Sequence, residues 1–121
     1  MRLFKCEICG NFVELLKDGG GTLVCCGQDM TEVLLSTEET TYEKHIPVVT
    51  KDGNKLTVQV GSTIHPMTEA HYIEWIAVVE GSKITKKNLN PNEQPIVEFD
   101  VDSDTYEVYA YCNLHGFYKA N

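Results

Sequence analysis

No run of about 18 apolar residues interrupts this chain, so nothing in it reads as a membrane-spanning helix. Its first ten residues, MRLFKCEICG, lack the apolar stretch of a secretory signal. Both absences lead us to expect a soluble protein of the cytoplasm. Basic residues are scarce too: ten Lys and Arg stand against 18 Asp and Glu, for a formal charge of −8. Nucleic acid is therefore an improbable ligand, because phosphate backbones call for a basic patch and none is present. The acidic balance suits solubility and a charged protein partner. No segment carries a convincing helical period, which excludes helix-rich folds. At 121 residues the chain is long enough for one ordinary domain, or one domain with a small satellite.

What the chain does have is five cysteines and four histidines, and they partition into two clusters with none left over. In a reducing compartment, cysteines are better read as metal ligands than as disulfides. The vicinal pair Cys25-Cys26 supports this, because bridging neighbours strains disulfide geometry. Residues 1–36 hold few large apolar groups, and so short a unit usually needs a staple. Cys6-Glu-Ile-Cys9 is a C-x-x-C knuckle, and Asp18-Gly19-Gly20-Gly21 is expected to turn the chain back so that Cys25 and Cys26 complete a tetrathiolate. Iron and zinc both accept four thiolates, so a structural zinc ribbon stands beside the iron reading. Adjacent ligands imply a distorted tetrahedron.

A polar hinge, Ser36-Thr37-Glu38-Glu39-Thr40-Thr41, separates this unit from residues 37–121. There the sequence turns to short strand-like runs punctuated by turn residues. Tyr42–Thr50 reads as one strand, and Lys51-Asp52-Gly53-Asn54 turns it into Lys55–Val60, where Leu56, Val58 and Val60 alternate with polar neighbours. His71–Glu80 reads as a longer strand with Ile73, Trp75, Ala77 and Val79 on one face. Ile96–Val101 and Thr105–Cys112 read as a hairpin around Asp102-Ser103-Asp104. The expected class is all-β, with a small metal-stapled domain at 1–36 and a sandwich of roughly seven strands at 37–121.

The second cluster is His45, His65, His71, Cys112 and His115. A lone histidine on a strand is more often structural than ligating. Four of them near strand ends, beside a similarly placed cysteine, reverse that expectation. Five donors exceed the four that zinc normally takes, which points to iron. Five protein ligands leave one coordination position open for a small molecule. A ferrous ion with four neutral imidazoles and one thiolate carries a net charge of +1, an attraction for a small anion inside an acidic protein.

The segments Glu43-Lys44-His45-Ile46-Pro47, His65-Pro66-Met67, His71-Tyr72-Ile73-Glu74-Trp75-Ile76 and Cys112-Asn113-Leu114-His115-Gly116 resemble the motifs of the superoxide reductases. With Cys6, Cys9, Cys25 and Cys26 they resemble the two-iron desulfoferrodoxin family over nearly the whole chain. That resemblance implies a desulforedoxin-like N-terminal domain with a tetracysteinyl iron. It also implies a neelaredoxin-like, immunoglobulin-like β-sandwich with a square-pyramidal iron. His45, His65, His71 and His115 would be the equatorial ligands and Cys112 the axial one. The implied reaction is one-electron reduction of superoxide to hydrogen peroxide, with electrons from a small iron protein such as rubredoxin, in a homodimer.

By the same resemblance, Lys44 lies near the open position and Glu43 can occupy it in the ferric resting state. Without the resemblance, Glu43-Lys44 reads as an exposed charged pair. Two departures from the family pattern stand out: Tyr118 sits where many relatives have tryptophan, and the N-terminus before Cys6 is short. A tyrosine keeps an aromatic wall but brings a hydroxyl that needs a partner. Competing readings are a two-iron electron carrier, a zinc-binding interaction module and a superoxide dismutase.

Overall fold

The computed structural model describes residues 1–36 and 42–120. The expected hinge falls, beyond Ser36, outside the described residues, and so does the side chain of Glu43. The chain divides into two compact units, Met1–Leu34 and Leu35–Asn121. Among the described residues nearly all regular structure is strand, with one single-turn helix. Among the described residues no helix is long and apolar enough to cross a membrane.

In the first unit, β1 (Leu3–Lys5) lies between β2 (Phe12–Glu14) and β5 (Thr31–Val33) in an antiparallel sheet, while β3 (Val24–Cys25) and β4 (Gln28–Asp29) form a separate ribbon. The knuckle turns between β1 and β2 because Gly10 takes φ +83°, which lets its amide donate to the Cys6 carbonyl at 2.9 Å. The Asp18–Gly21 segment turns as expected, with the Gly20 amide donating to Asp18 Oδ1 at 2.8 Å. Arg2 reaches both Asp18 and Glu32 at 2.8 Å, pinning that turn and β5 to the N-terminal strand.

Only Leu3 and Cys6 are buried in this unit. At about 1.5–3 kcal/mol per fully buried side chain, they cannot offset the roughly 1–2 kcal/mol that ordering each residue's backbone costs. A cross-link through the four cysteines is needed for the unit to hold together.

The second unit opens with α1 (Tyr42–His45) and continues through β6 (Pro47–Asp52), β7 (Lys55–Val60), β8 (Ile73–Glu80), β9 (Lys83–Asn88), β10 (Ile96–Asp100), β11 (Glu107–Cys112) and β12 (Gly116–Lys119). These seven strands form two antiparallel sheets, ordered β10-β7-β6 and β12-β11-β8-β9. Leu56, Val58 and Val60 of one sheet meet Ile76, Val78, Val108 and Ala110 of the other in a closed apolar core that extends to Cys112. A three-on-four sandwich of this kind is the immunoglobulin-like arrangement.

Three sequence expectations are corrected, and one strand is added to them. The expected strand from Tyr42 breaks at Ile46: Tyr42–His45 is helical and β6 starts at Pro47, paired with Val60. Proline has no amide to give and fits the first residue of an edge strand. The Ile96–Val101/Thr105–Cys112 hairpin does not form, because β10 pairs with β7 and β11 pairs with β8 and β12. The Val101 amide donates to Asn54 at 2.9 Å, which keeps the end of β10 on the β6–β7 turn while the chain crosses to the other sheet.

Strand β9 was not expected, because its sequence KITKKN lies on an exposed edge where no apolar alternation is required. Finally, β8 begins at Ile73, and Ile73, Trp75, Ala77 and Val79 do not share one face. A register shift pairs Trp75 with Tyr111 but Ile73 with Cys112, so Ile73 joins Ile76 and Val78 in the core. Trp75 stacks instead on Tyr111, with Phe117 at 5.8 Å. Such a bulge re-aims side chains, and here it sits beside Cys112.

Candidate metal centres

The four sulfurs of Cys6, Cys9, Cys25 and Cys26 all lie within 4.8 Å of one another. Cys9 and Cys25 are 3.6 Å apart, and Cys25 and Cys26 are 4.0 Å apart. A tetrahedron with metal–sulfur bonds of about 2.3 Å has edges of about 3.8 Å, so the set fits a tetrathiolate metal. Neighbouring residues in an extended strand point to opposite faces. Cys26 escapes this by taking φ 54°, a left-handed conformation that costs a non-glycine residue about 1–2 kcal/mol. This is the local distortion that adjacent ligands impose.

Backbone amides of Cys9 and Asn11 donate to the Cys6 and Cys9 sulfurs, both at 3.4 Å, and the Asn11 amide group donates to Cys25 at 3.6 Å. Asn11 was not singled out by sequence; its place two residues after a ligand is the only signal. The Cys9 amide pulls the Cys6 thiol down to about 6, whereas the neighbouring thiols of Cys9 and Cys6 push Cys26 up to about 12. Four thiolates this close require a cation among them.

In the second unit the four imidazoles form a ring. Going round it, centroid separations are 4.5 Å for His45–His65, 4.6 Å for His65–His71, 4.9 Å for His71–His115 and 4.8 Å for His115–His45. Each neighbouring pair is close to perpendicular, whereas His45 and His71 face each other across the ring at 6.1 Å. The arrangement is a square. Cys112 approaches all four, its sulfur 4.0 Å from His115 Nδ1 and within 4.8 Å of the ligating nitrogens of the other three. It rises from the apolar core, fully buried, so it closes one side of the square. His115 and Lys44 are exposed.

The nitrogens pointing inward can be named. His65 donates from Nδ1 to the Pro66 carbonyl at 2.6 Å, which leaves its Nε2 a bare lone pair 2.9 Å from His45 Nε2. His45 Nε2 is also 3.1 Å from His115 Nδ1. His71 Nε2 is buried with no hydrogen-bond partner. Lone pairs crowded together and an orphaned buried nitrogen are unfavourable unless a cation sits between them. The donor set therefore fits a metal ion, which His45, His65, His71 and His115 would hold through four nitrogens and Cys112 through its sulfur. Burial pushes His65 down to about 4 and lowers His71 as well, keeping both neutral as ligation requires. Burial raises the Cys112 thiol, against the backbone amides of His115 and Leu114 that favour its thiolate.

All nine sequence-predicted ligands are thus gathered into the two expected groups. His45 ends a helix, though, and does not lie within a strand. His71 precedes β8 in a small bridge with Thr68, their backbones exchanging bonds of 3.0 and 3.1 Å. Asn113 was missed by sequence reasoning. It receives the Tyr72 amide on its Oδ1 at 3.0 Å and donates from its side chain to the Ala70 carbonyl at 3.1 Å, lacing the Cys112–His115 turn to the His71 segment. Its position between two ligands in a tight turn was the available clue.

A two-unit, all-β protein with a tetracysteine cluster and a square of imidazoles over a thiolate is a two-centre metalloprotein. Residues 37–121 match the desulfoferrodoxin family, and residues 1–33 match the desulfoferrodoxin N-terminal domain. A desulfoferrodoxin homolog of Archaeoglobus fulgidus is 47% identical over 99% of this chain and 96% of its own length. The desulfoferrodoxin of Nitratidesulfovibrio vulgaris is 47% identical over 98% of this chain and 94% of its own length. Among solved structures, the superoxide reductase of Treponema pallidum superposes with a TM-score of 0.79 at 32% identity, covering 98% of this chain and 95% of that one. The chain belongs to the desulfoferrodoxin family. Its two ligand groups are those of two iron sites, one of four cysteines and one of four histidines and a cysteine.

Proposed function

We propose that this protein is a superoxide reductase that converts superoxide to hydrogen peroxide at the centre built from His45, His65, His71, His115 and Cys112. The observation that carries the reading is the square of imidazoles closed by a buried thiolate on one side, with His115 exposed at one corner and the exposed Lys44 next to His45 in the chain. Five protein donors leave one position for a small ligand, whereas a pure electron carrier gains from saturated coordination. When bound, the iron supplies one electron at that open position. The rest is the work of the chain.

Cys112 lends electron density from the buried side, a push also used by thiolate-ligated haem proteins. Lys44 precedes the first ligand, and its positive charge is felt at His71, where it lowers the imidazole's affinity for a proton. An ammonium so placed draws in an anion and orders water to deliver the two protons that peroxide requires. By the family resemblance Glu43, one residue earlier, would offer its carboxylate to the ferric resting centre.

The domain at 1–36 is the tetracysteinyl unit and the domain at 37–121 the reductase. Each turnover consumes one electron, so a small iron protein such as rubredoxin serves as donor, and the family pattern supports a homodimer. Five free cysteines, all in metal clusters, suit the reducing cytoplasm.

The test is to mix anaerobically reduced, iron-loaded protein with a measured quantity of superoxide and to follow ferric iron, peroxide and dioxygen together. One peroxide and one newly ferric second centre per superoxide, without dioxygen, is expected. Dioxygen at half the superoxide consumed, with no net iron oxidation, would instead mean dismutation.

A further inference from the structure

Tyr118 is the largest fully buried side chain among the described residues, and it touches two ligands that come from distant parts of the chain. Its ring stacks on His45 with centroids 4.6 Å apart and an interplanar angle of 18°. Its hydroxyl donates to the backbone carbonyl of His115 at 3.3 Å. His45 and His115 are adjacent members of the imidazole square, 70 residues apart in sequence. One side chain on β12 therefore meets both the helix that delivers the first ligand and the turn that delivers the last.

We infer that Tyr118 is a positioning residue of the second centre, whose ring sets the plane of His45 and whose hydroxyl holds the turn carrying His115 Nδ1. This rests on reading that centre as a metal site. Each ligand needs outside support. A single-turn helix has too few internal bonds to fix its own side chains, so His45 depends on what its ring packs against. The edges of His65 and His115 bound it in the square, and Tyr118 supplies a parallel face.

His115 is exposed and sits in a short turn, where a bond to its carbonyl restrains the backbone that aims the ring. The hydroxyl is what distinguishes tyrosine from an aromatic side chain that could only stack. An indole could stack, but it carries its donor on the five-membered ring and not at the far end of a phenol. The buried hydroxyl that the sequence left in search of a partner is the second half of this device.

The test uses the full-length protein with Tyr118→Phe, which removes only the hydroxyl, and Tyr118→Leu, which removes the ring as well. Imidazole nitrogen NMR on the metal-free protein reads ring order directly. Tyr118→Phe should broaden His115 alone, and Tyr118→Leu should broaden both His45 and His115, with His65 and His71 less affected. In the iron-loaded protein, extraction of ferrous iron from the second centre by a chelator should quicken about fivefold in Tyr118→Phe, the worth of roughly one hydrogen bond. It should quicken about 10-fold to 100-fold in Tyr118→Leu. The second centre's midpoint potential should move while the tetracysteine spectrum, an internal reference, stays put.

Unchanged imidazole spectra and extraction rates in Tyr118→Leu would overturn the inference. So would equal disturbance of all four imidazoles and of the sheet amides, which is the mark of plain core packing. Should the wild-type second centre take up no iron, the metal-site reading falls, while the metal-free spectra still decide for or against Tyr118.

Discussion

The α-carbon of Gly61 packs against the backbone of Lys44: a Cβ added there would lie 2.6 Å from the Lys44 carbonyl oxygen and 2.3 Å from that of Thr63. The Gly61 amide donates to the Ile46 carbonyl at 3.1 Å, and the His65 amide returns to Val60 at 3.3 Å. The turn after β7 thus holds the segment carrying Lys44 and His45 against the segment carrying His65. Only a residue without a side chain lets the two approach so closely.

Gly61→Ala should accordingly damage the second centre selectively. The left-handed φ of +86° alone costs a non-glycine residue about 1–3 kcal/mol, and the clash is with backbone, which cannot swing aside. We expect iron at the second centre to fall well below that at the first. Metal analysis with visible spectra of the two centres checks this; equal occupancy would show that the Lys44 segment can retreat without cost.

Lys44→Ala should slow oxidation of the reduced second centre by superoxide by roughly 3-fold to 10-fold and flatten its dependence on ionic strength. Pulse radiolysis at several salt concentrations measures both. Kinetics identical to wild type at every salt concentration would remove Lys44 from the mechanism.

Cys112→Ser replaces a buried thiolate with a hydroxyl that stays protonated and donates far less charge. The thiolate-to-ferric charge-transfer absorption of the second centre should vanish, while the tetracysteine absorption remains. A surviving band would mean that the absorption does not originate at Cys112.

Removal of metal from the first centre should unfold residues 1–34 and spare the sandwich, since Leu3 and Cys6 are the only buried side chains there. Amide NMR dispersion, read separately for the two units, shows the difference. Retention of that metal should weaken as pH falls, because ligation requires all four thiolates and protons compete for them, most strongly at Cys26, whose thiol is raised to about 12. A first unit that keeps dispersed amides after chelation would contradict the staple.

Both ligand groups were legible in the chain because their chemistry is carried by residue type. A cysteine or histidine announces a possible ligand wherever it falls, and the two kinds were so distributed that none was spare. The β6–β7 hairpin was legible for a different reason: Leu56, Val58 and Val60 alternate about an Asp-Gly turn, and both signals are local. The supposed hairpin between residues 96 and 112 failed because the same local signals do not say which strand a neighbour will pair with. Two alternating runs beside a polar turn look alike whether they join or part to opposite sheets. Strand β9 had no signal at all, since an exposed edge imposes no apolar period.

The sequence by itself determined the donor inventory, the all-β character and the need for a metal in the first unit, because these follow from which residues are present and how few are apolar. The order of imidazoles around the square, the nitrogen each presents, and the support of His45 and His115 by one tyrosine were decided only by tertiary structure. These depend on a bulge beside Cys112, a glycine pressed against Lys44 and contacts between residues 70 positions apart. Such relations arise when two sheets close on one core, and no local stretch of chain encodes them.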